Sequence, residues 1–323
     1  MMQNITYPWL TNVTSQLEKL YQSQKFPHAL LLVGAEGLGQ QRVVAALSQL
    51  LLCLSPQNNR ACGHCRACHL FSEQHHPDYR SLGENNVNIS IDDVREITVF
   101  LSQASHQAGN RVVVIVADNL TVACANALLK TLEEPPKQTF FILMAKHPSN
   151  VLPTIRSRCF VLSIPVPSCA QALSWLQQQY PNKAVGDLSW NLKVAGGVPL
   201  KVQAMTPEAL DKSQAMLASI LCSEDLSGFY SDDSQRWLSS QGREALYLLY
   251  YWVTELILFI ASGTTVFTDK YALQLKQLSC RRADRLLGFL DRIIDAIQAL
   301  KQPGVNKQLL FESLFYEWHA LRE

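Results

Sequence analysis

One stretch near the N-terminus limits the possible folds more than any other. An apolar run, Ala29–Val33, meets a glycine-rich turn, Gly34-Ala35-Glu36-Gly37-Leu38-Gly39, and a helical pattern runs on from Gln40 to Leu54. Strand, glycine turn and helix in that order form the layout of a phosphate-binding α/β unit. Arg111–Val116 (RVVVIV) is a continuous β-branched run, as expected of a strand buried on both faces of a parallel sheet. Thr139–Met144 reads as another buried strand and Cys159–Ile164 as a third. Helical patterns separate them. One covers 13–23, one starts near Ile91 behind an acidic capping box of Ser90 and Asp93, and one covers Thr121–Leu132 and stops at Pro135-Pro136. The alternation predicts a parallel α/β domain over residues 1–165.

The pattern changes at Pro165 and Pro167. Residues 168–205 read as short helices with a turn at Gly196-Gly197. From about 208 the periodicity is helical, near 208–222, 232–262, 270–300 and 305–322. A chain of 323 residues predicts two or three domains. The most apolar stretch, Ala245–Ala261, falls short of the roughly 20 apolar residues of a spanning helix and contains Glu255, which predicts a buried helix. The N-terminus lacks a basic and apolar leader, so the expected location is the cytoplasm, with no membrane partner. Charge is balanced, 28 Lys+Arg against 27 Asp+Glu, which disfavours a protein that grips DNA alone by neutralising phosphates.

Cys53, Cys62, Cys65 and Cys68 are spaced C-x8-C-x2-C-x2-C in a polar segment. Four thiolates can surround one tetrahedral zinc at about 2.3 Å each. Four sulfurs leave no open position for a catalytic water, so the expected zinc is structural. His64 and His69 are surplus to such a site. Cys124, Cys159, Cys169, Cys222 and Cys280 are scattered and read as ordinary thiols.

A working phosphate loop reads G-x-x-x-x-G-K-[ST], with the lysine on the β- and γ-phosphates and the hydroxyl on Mg²⁺. Here Gly34, Gly37 and Gly39 remain, but Gln40 stands at the lysine position and Gln41 at the hydroxyl position. An ATPase also needs an acidic pair after a buried strand, for Mg²⁺ and for the attacking water. After RVVVIV comes Ala117-Asp118-Asn119, a single carboxylate. Both departures predict a glycine turn kept for packing and no ATP hydrolysis. Weak nucleotide binding through backbone amides stays open.

Asn126-Ala127-Leu128-Leu129-Lys130-Thr131-Leu132-Glu133-Glu134-Pro135-Pro136 and Pro153-Thr154-Ile155-Arg156-Ser157-Arg158-Cys159 closely resemble the bacterial DNA polymerase III clamp loader, an AAA+ family. Pro27-His28-Ala29-Leu30-Leu31 and the four-cysteine insertion fit as well. The departures in the phosphate loop resemble the non-hydrolysing member. The family's basic residue after a glycine in the lid is also missing, since Val198-Pro199-Leu200 follows Gly197. The resemblance implies a RecA-like α/β domain (1–165) with a zinc-binding insertion (53–69), a helical lid (166–207) and an all-α collar (208–323). It implies a stationary, non-catalytic subunit in a five-subunit ring with gamma/tau motor subunits and a delta subunit, which places a sliding clamp on primer-template DNA for the polymerase. It implies that Arg158, within Ser157-Arg158-Cys159, reaches a neighbour's ATP as an arginine finger, with Arg156 as the fallback.

An ATP-hydrolysing motor subunit and a zinc-dependent nucleic-acid-binding module are the competing expectations. The lost lysine, hydroxyl and acidic pair weigh against the first, and the balanced charge against the second. Lys130, Lys137, Arg281, Arg282 and Arg285 read as solvated charges. Tyr247, Tyr250, Tyr251 and Trp252 read as core or as a subunit interface.

Overall fold

Two segments of the chain each build a core of their own, Met1–Pro167 and Ser168–Glu323. The structure, a computed structural model, describes residues 7–84, 88–106, 109–205, 207–223, 225, 227–263, 278, 283–300 and 304–321.

The first unit holds five strands: β1 (Ala29–Val33), β2 (Tyr79–Leu82), β3 (Arg111–Val116), β4 (Thr139–Ala145) and β5 (Phe160–Ser163). They form one sheet in the order β2-β3-β4-β1-β5. Every pairing is parallel, with Leu31 opposite Leu143 on one side and Val161 on the other. All five residues of β1 are buried, as two-sided coverage requires of a central strand. Helices α1 (Thr11–Gln22), α2 (Gln40–Leu52), α3 (Arg66–Ser72), α4 (Ile91–Ser102), α5 (Val122–Glu133) and the single turn α6 (Pro153–Arg156) connect the strands. Ser90 caps α4, and Asp93 returns the bond to the Ser90 amide, so the expected capping box is present. Thr121 caps α5 by accepting from the Cys124 amide.

The α/β class and the parallel sheet are as expected, with two differences. β2 has no counterpart in the sequence reading. Its Tyr-Arg-Ser-Leu run lies at the edge of the sheet, is nowhere fully buried, and carries no apolar or alternating signal. The strand expected as buried over Cys159–Ile164 is shorter and forms the opposite edge. Phe160, Val161 and Ser163 are exposed there because no further strand or helix among the described residues covers them, while Leu162 faces the core.

The second unit is helical throughout its described residues: α7 (Cys169–Gln179), α8 (Val185–Val194), α9 (Pro199–Met205), α10 (Pro207–Cys222), α11 (Ser227–Tyr230), α12 (Asp232–Ser262), α13 (Ala283–Ala299) and α14 (Lys307–Ala320). The Gly196-Gly197 turn has both residues at positive φ, with the Gly197 amide bonded to the Leu192 carbonyl. α12 is long and apolar enough to cross a membrane by length and composition alone. Its Leu246, Leu249, Trp252, Val253 and Leu256 lie in the core of this unit with Phe289, Phe311 and Trp318. Glu255 is buried there and is paired with Lys193. Trp252 is core, whereas Tyr247 is exposed and Tyr250 and Tyr251 are half-buried. Arg285 is exposed; Cys280, Arg281 and Arg282 lie outside the described residues.

Candidate functional site

The four cysteines lie at the end of α2 and the start of α3. Cys53 caps α2, and Cys65 caps α3 by accepting from the Cys68 amide. Between them Gln57 and Arg60 exchange two backbone bonds of 2.9 Å, with Asn58 and Asn59 both left-handed. Two positive-φ residues closing a two-residue loop make a type I′ turn, which asparagine tolerates well. The turn folds Cys62 back onto Cys53. Their sulfurs lie 3.6 Å apart, Cys53 and Cys65 3.9 Å, and Cys62 and Cys68 4.0 Å. A tetrahedral ion with sulfurs at about 2.3 Å requires them about 3.8 Å apart. All four ligand atoms lie within 4.8 Å of one another, so the set fits a zinc-type ion. Amides of Cys62 and Cys65 donate to the sulfurs of Cys53 and Cys62 at 3.3 Å, and the Cys68 amide to Cys65 at 3.4 Å.

The thiols divide in acidity. The Ser55 hydroxyl, with amide donors, brings Cys62 down to about 5. Burial pushes Cys68 and Cys53 up. Four thiolates this close repel one another, and a coordinated dication deprotonates thiols outright. His64 and His69 are exposed and stand outside the sulfur cluster.

The glycine loop lies at the carboxyl end of β1, where α/β sheets bind ligands. The Gln40 amide nitrogen turns inward and donates to the carbonyls of Gly34 (2.9 Å) and Ala145 (3.1 Å). Gln41 is exposed. Gly39 is left-handed, and a Cβ there would lie 2.8 Å from the Tyr7 ring. The Trp9 indole donates to the Leu38 carbonyl at 3.0 Å and stacks on Tyr7, and the Arg42 guanidinium lies over the Tyr7 ring. The bracing by Tyr7 and Trp9 was not legible from local motifs, because these aromatics precede the loop by some thirty residues.

Asp118, the single carboxylate after β3, has partners on both oxygens. It accepts from the Lys146 amide at 2.9 Å and the Asn150 side chain at 2.6 Å. The Lys146 ammonium in turn pairs with Glu36 of the glycine loop at 2.7 Å. Asp118 thus ties the loop after β4 to the end of β3.

α6 and the turn after it carry the Ser-Arg-Cys segment. Ser157 is exposed; its hydroxyl donates to the Thr154 carbonyl at 3.1 Å. The Arg158 side chain is about a third exposed and is held by Glu133, with Nε 2.6 Å from Oε1 and Nη2 on the same oxygen. Its Nη1 donates to the Thr154 carbonyl at 2.8 Å and to the Ser157 hydroxyl at 3.3 Å. Burial pushes the Cys159 thiol up to about 11, and the side chain packs against the core of the first unit. Arg156, Lys130 and Lys137 are exposed. His28 accounts for part of the segment before β1: its Nε2 meets the Leu132 carbonyl at 3.0 Å, at the end of α5.

A parallel five-stranded α/β unit followed by a helical unit defines the class of this protein. The sequence description of the family "DNA polymerase III, delta subunit" matches residues 9–168. DNA polymerase III subunit delta' of Escherichia coli is 33% identical, with 95% of this chain and 93% of that protein covered. The subunit delta' of Pseudomonas aeruginosa is 31% identical, with 98% of each covered. Among solved structures, a DNA polymerase III gamma subunit-related protein of Thermotoga maritima aligns over 95% of this chain and 100% of its own, with TM-score 0.44 and 20% identity. The RuvB Holliday junction branch migration motor of Thermotoga maritima aligns over 80% of this chain and 76% of its own, with TM-score 0.40 and 13% identity. The chain belongs to the DNA polymerase III subunit delta' family.

Proposed function

We propose that this chain is the non-hydrolysing, stationary subunit of a DNA polymerase III clamp loader, and that it supplies Arg158 in trans to the ATP of a neighbouring motor subunit. The observation that carries this reading is the contrast between the two ends of the α/β unit. At the phosphate loop the Gln40 amide bonds the loop's own carbonyls, and Asp118 is engaged by Lys146 and Asn150. The lysine position of the loop thus carries no cation, and the one carboxylate after β3 is already bonded. At the other end Arg158 carries a permanent charge and a planar fork of donors at an accessible turn.

A finger delivered by a docked neighbour couples hydrolysis to assembly, because only a correctly seated subunit completes the site. In this reading residues 1–165 form the AAA+ domain, 166–207 the lid and 208–323 the collar. The ring holds five subunits with gamma/tau and delta partners, and the sliding clamp and primer-template DNA are engaged through the complex in the cytoplasm. The chain itself has neither ATPase nor polymerase activity. Cys53, Cys62, Cys65 and Cys68 would hold a structural zinc, which would fix the 53–69 segment and supply no catalysis.

The test is steady-state ATP turnover of the complex reconstituted with motor subunits, clamp and primed DNA. Arg158→Ala is expected to leave assembly at saturating subunit concentrations unchanged and to lower turnover at the interface it serves by about 10³-fold or more. Arg158→Lys is expected to rescue poorly, since an ammonium lacks the fork. Equal turnover for Arg158→Ala and wild type, at equal assembly by gel filtration, removes the finger role.

A further inference from the structure

Arg158 is not extended in the free chain. An arginine has five N–H donors, and four of Arg158's are engaged: Nε and Nη2 with Glu133, Nη1 with Thr154 and Ser157. Glu133 is the last residue of α5. A carboxylate there lies against the negative end of the helix dipole, so its position is unfavourable until a cation meets it. Arg158 is that cation, reaching it across 25 residues of sequence.

The grip is also incomplete. Both bonds fall on one carboxylate oxygen, Oε1, and not on the pair that a fork-to-fork contact would use. Both side chains are substantially exposed, 32% for Arg158 and 48% for Glu133, so solvent screens the pair and an incoming anion can reach it. A terminal phosphate offers more oxygens and more charge than one carboxylate oxygen.

We propose that Glu133 parks Arg158, so that the guanidinium exchanges between this carboxylate and a neighbouring subunit's γ-phosphate and returns to Glu133 when that phosphate is absent. Glu133 is then a positioning residue that makes the contact between subunits depend on which nucleotide the neighbour holds. The proposal rests on the trans role of Arg158.

The test is a titration of the full chain against a motor subunit loaded with ADP or with a non-hydrolysable ATP analogue. Glu133→Gln keeps the shape of the side chain and removes its charge. It is expected to tighten binding to the analogue-loaded subunit by about twofold to fivefold and to leave binding to the ADP-loaded subunit unchanged. Arg158→Ala is expected to abolish the difference between the two nucleotides, and the double variant to match Arg158→Ala. Weaker binding of Glu133→Gln to the analogue-loaded subunit would make Glu133 a support for the engaged arginine and overturn parking. Unchanged binding to both forms, or an equal change in both, would overturn it too, with the trans role intact as long as Arg158→Ala still matters. Binding of both forms indifferent to Arg158→Ala would overturn parking, and the trans role would then stand or fall with the turnover measurement. Unfolding midpoints of the variants separate either result from a folding defect.

Discussion

At the scale of single residues, the positions that look catalytic by type are distinguished by what surrounds them. Cys159 adjoins the proposed finger, yet burial holds its thiol near 11. Cys169, by contrast, is exposed at the first position of α7. Alkylation at pH 8 followed by peptide mapping is expected to label Cys169 long before Cys159; comparable rates would show that the turn under β5 opens readily. Gly39 answers to a different constraint. Its φ of 90° and the Tyr7 ring 2.8 Å from an added Cβ leave no room for a side chain. Gly39→Ala is expected to destabilise the α/β unit by about 1–3 kcal/mol, read from denaturant unfolding. A cost near zero would mean that Tyr7 moves aside freely. The spacing of the loop glycines was legible beforehand; the reason Gly39 cannot be replaced was not, since Tyr7 is distant in sequence.

At the scale of elements, capping and turn chemistry carry much of the first unit. The Asp93 carboxylate accepts from both the amide and the hydroxyl of Ser90, which holds its pKa below the ordinary value of 3.8. A depressed carboxylate contributes stability that is complete above its unfolded pKa and is lost as pH falls through the folded one. The start of α4 is therefore expected to hold at neutral pH and to fray only below about pH 4. Amide NMR of Ser90 and Asp93 should follow one titration below 3.8; an inflection above it would contradict the capping geometry. This box needed only a few adjacent residues and was legible from them; Thr121, which the sequence pattern places inside its helix, instead caps α5. The Asn58-Asn59 turn falls in what the sequence shows only as a polar segment. Its role in bringing Cys62 onto Cys53 appears only once both strands of the turn are in place.

At the scale of the whole molecule, the metal cluster belongs to the first unit alone. Its sulfur spacing predicts one zinc per chain by elemental analysis, and Cys65→Ser is expected to lower that to about zero. Removal by a strong chelator is expected to raise hydrogen exchange in residues 53–69 and in α3 and to leave α12–α14 protected. Loss of protection throughout the second unit would show that the two cores unfold as one. Freely reactive thiols at all four positions in the purified protein would exclude the metal.

What the amino-acid order determined unaided is what neighbouring residues encode: the strands β1, β3 and β4 through their apolar runs, the glycine loop with its missing lysine, the capping box of Ser90 and Asp93, the cysteine spacing and the change to helices after Pro167. These are short-range patterns whose physical cause lies within a few residues of chain. The tertiary structure decided the rest. Edge strand β2 exists because β3 offers it a partner, for its own side chains give no signal. Asp118 is tied up by Asn150, 32 residues away, and Arg158 by Glu133, 25 residues away. Such pairs depend on which loops the sheet order closes. A single carboxylate and a single arginine carry no mark in the sequence of the partner that will meet them.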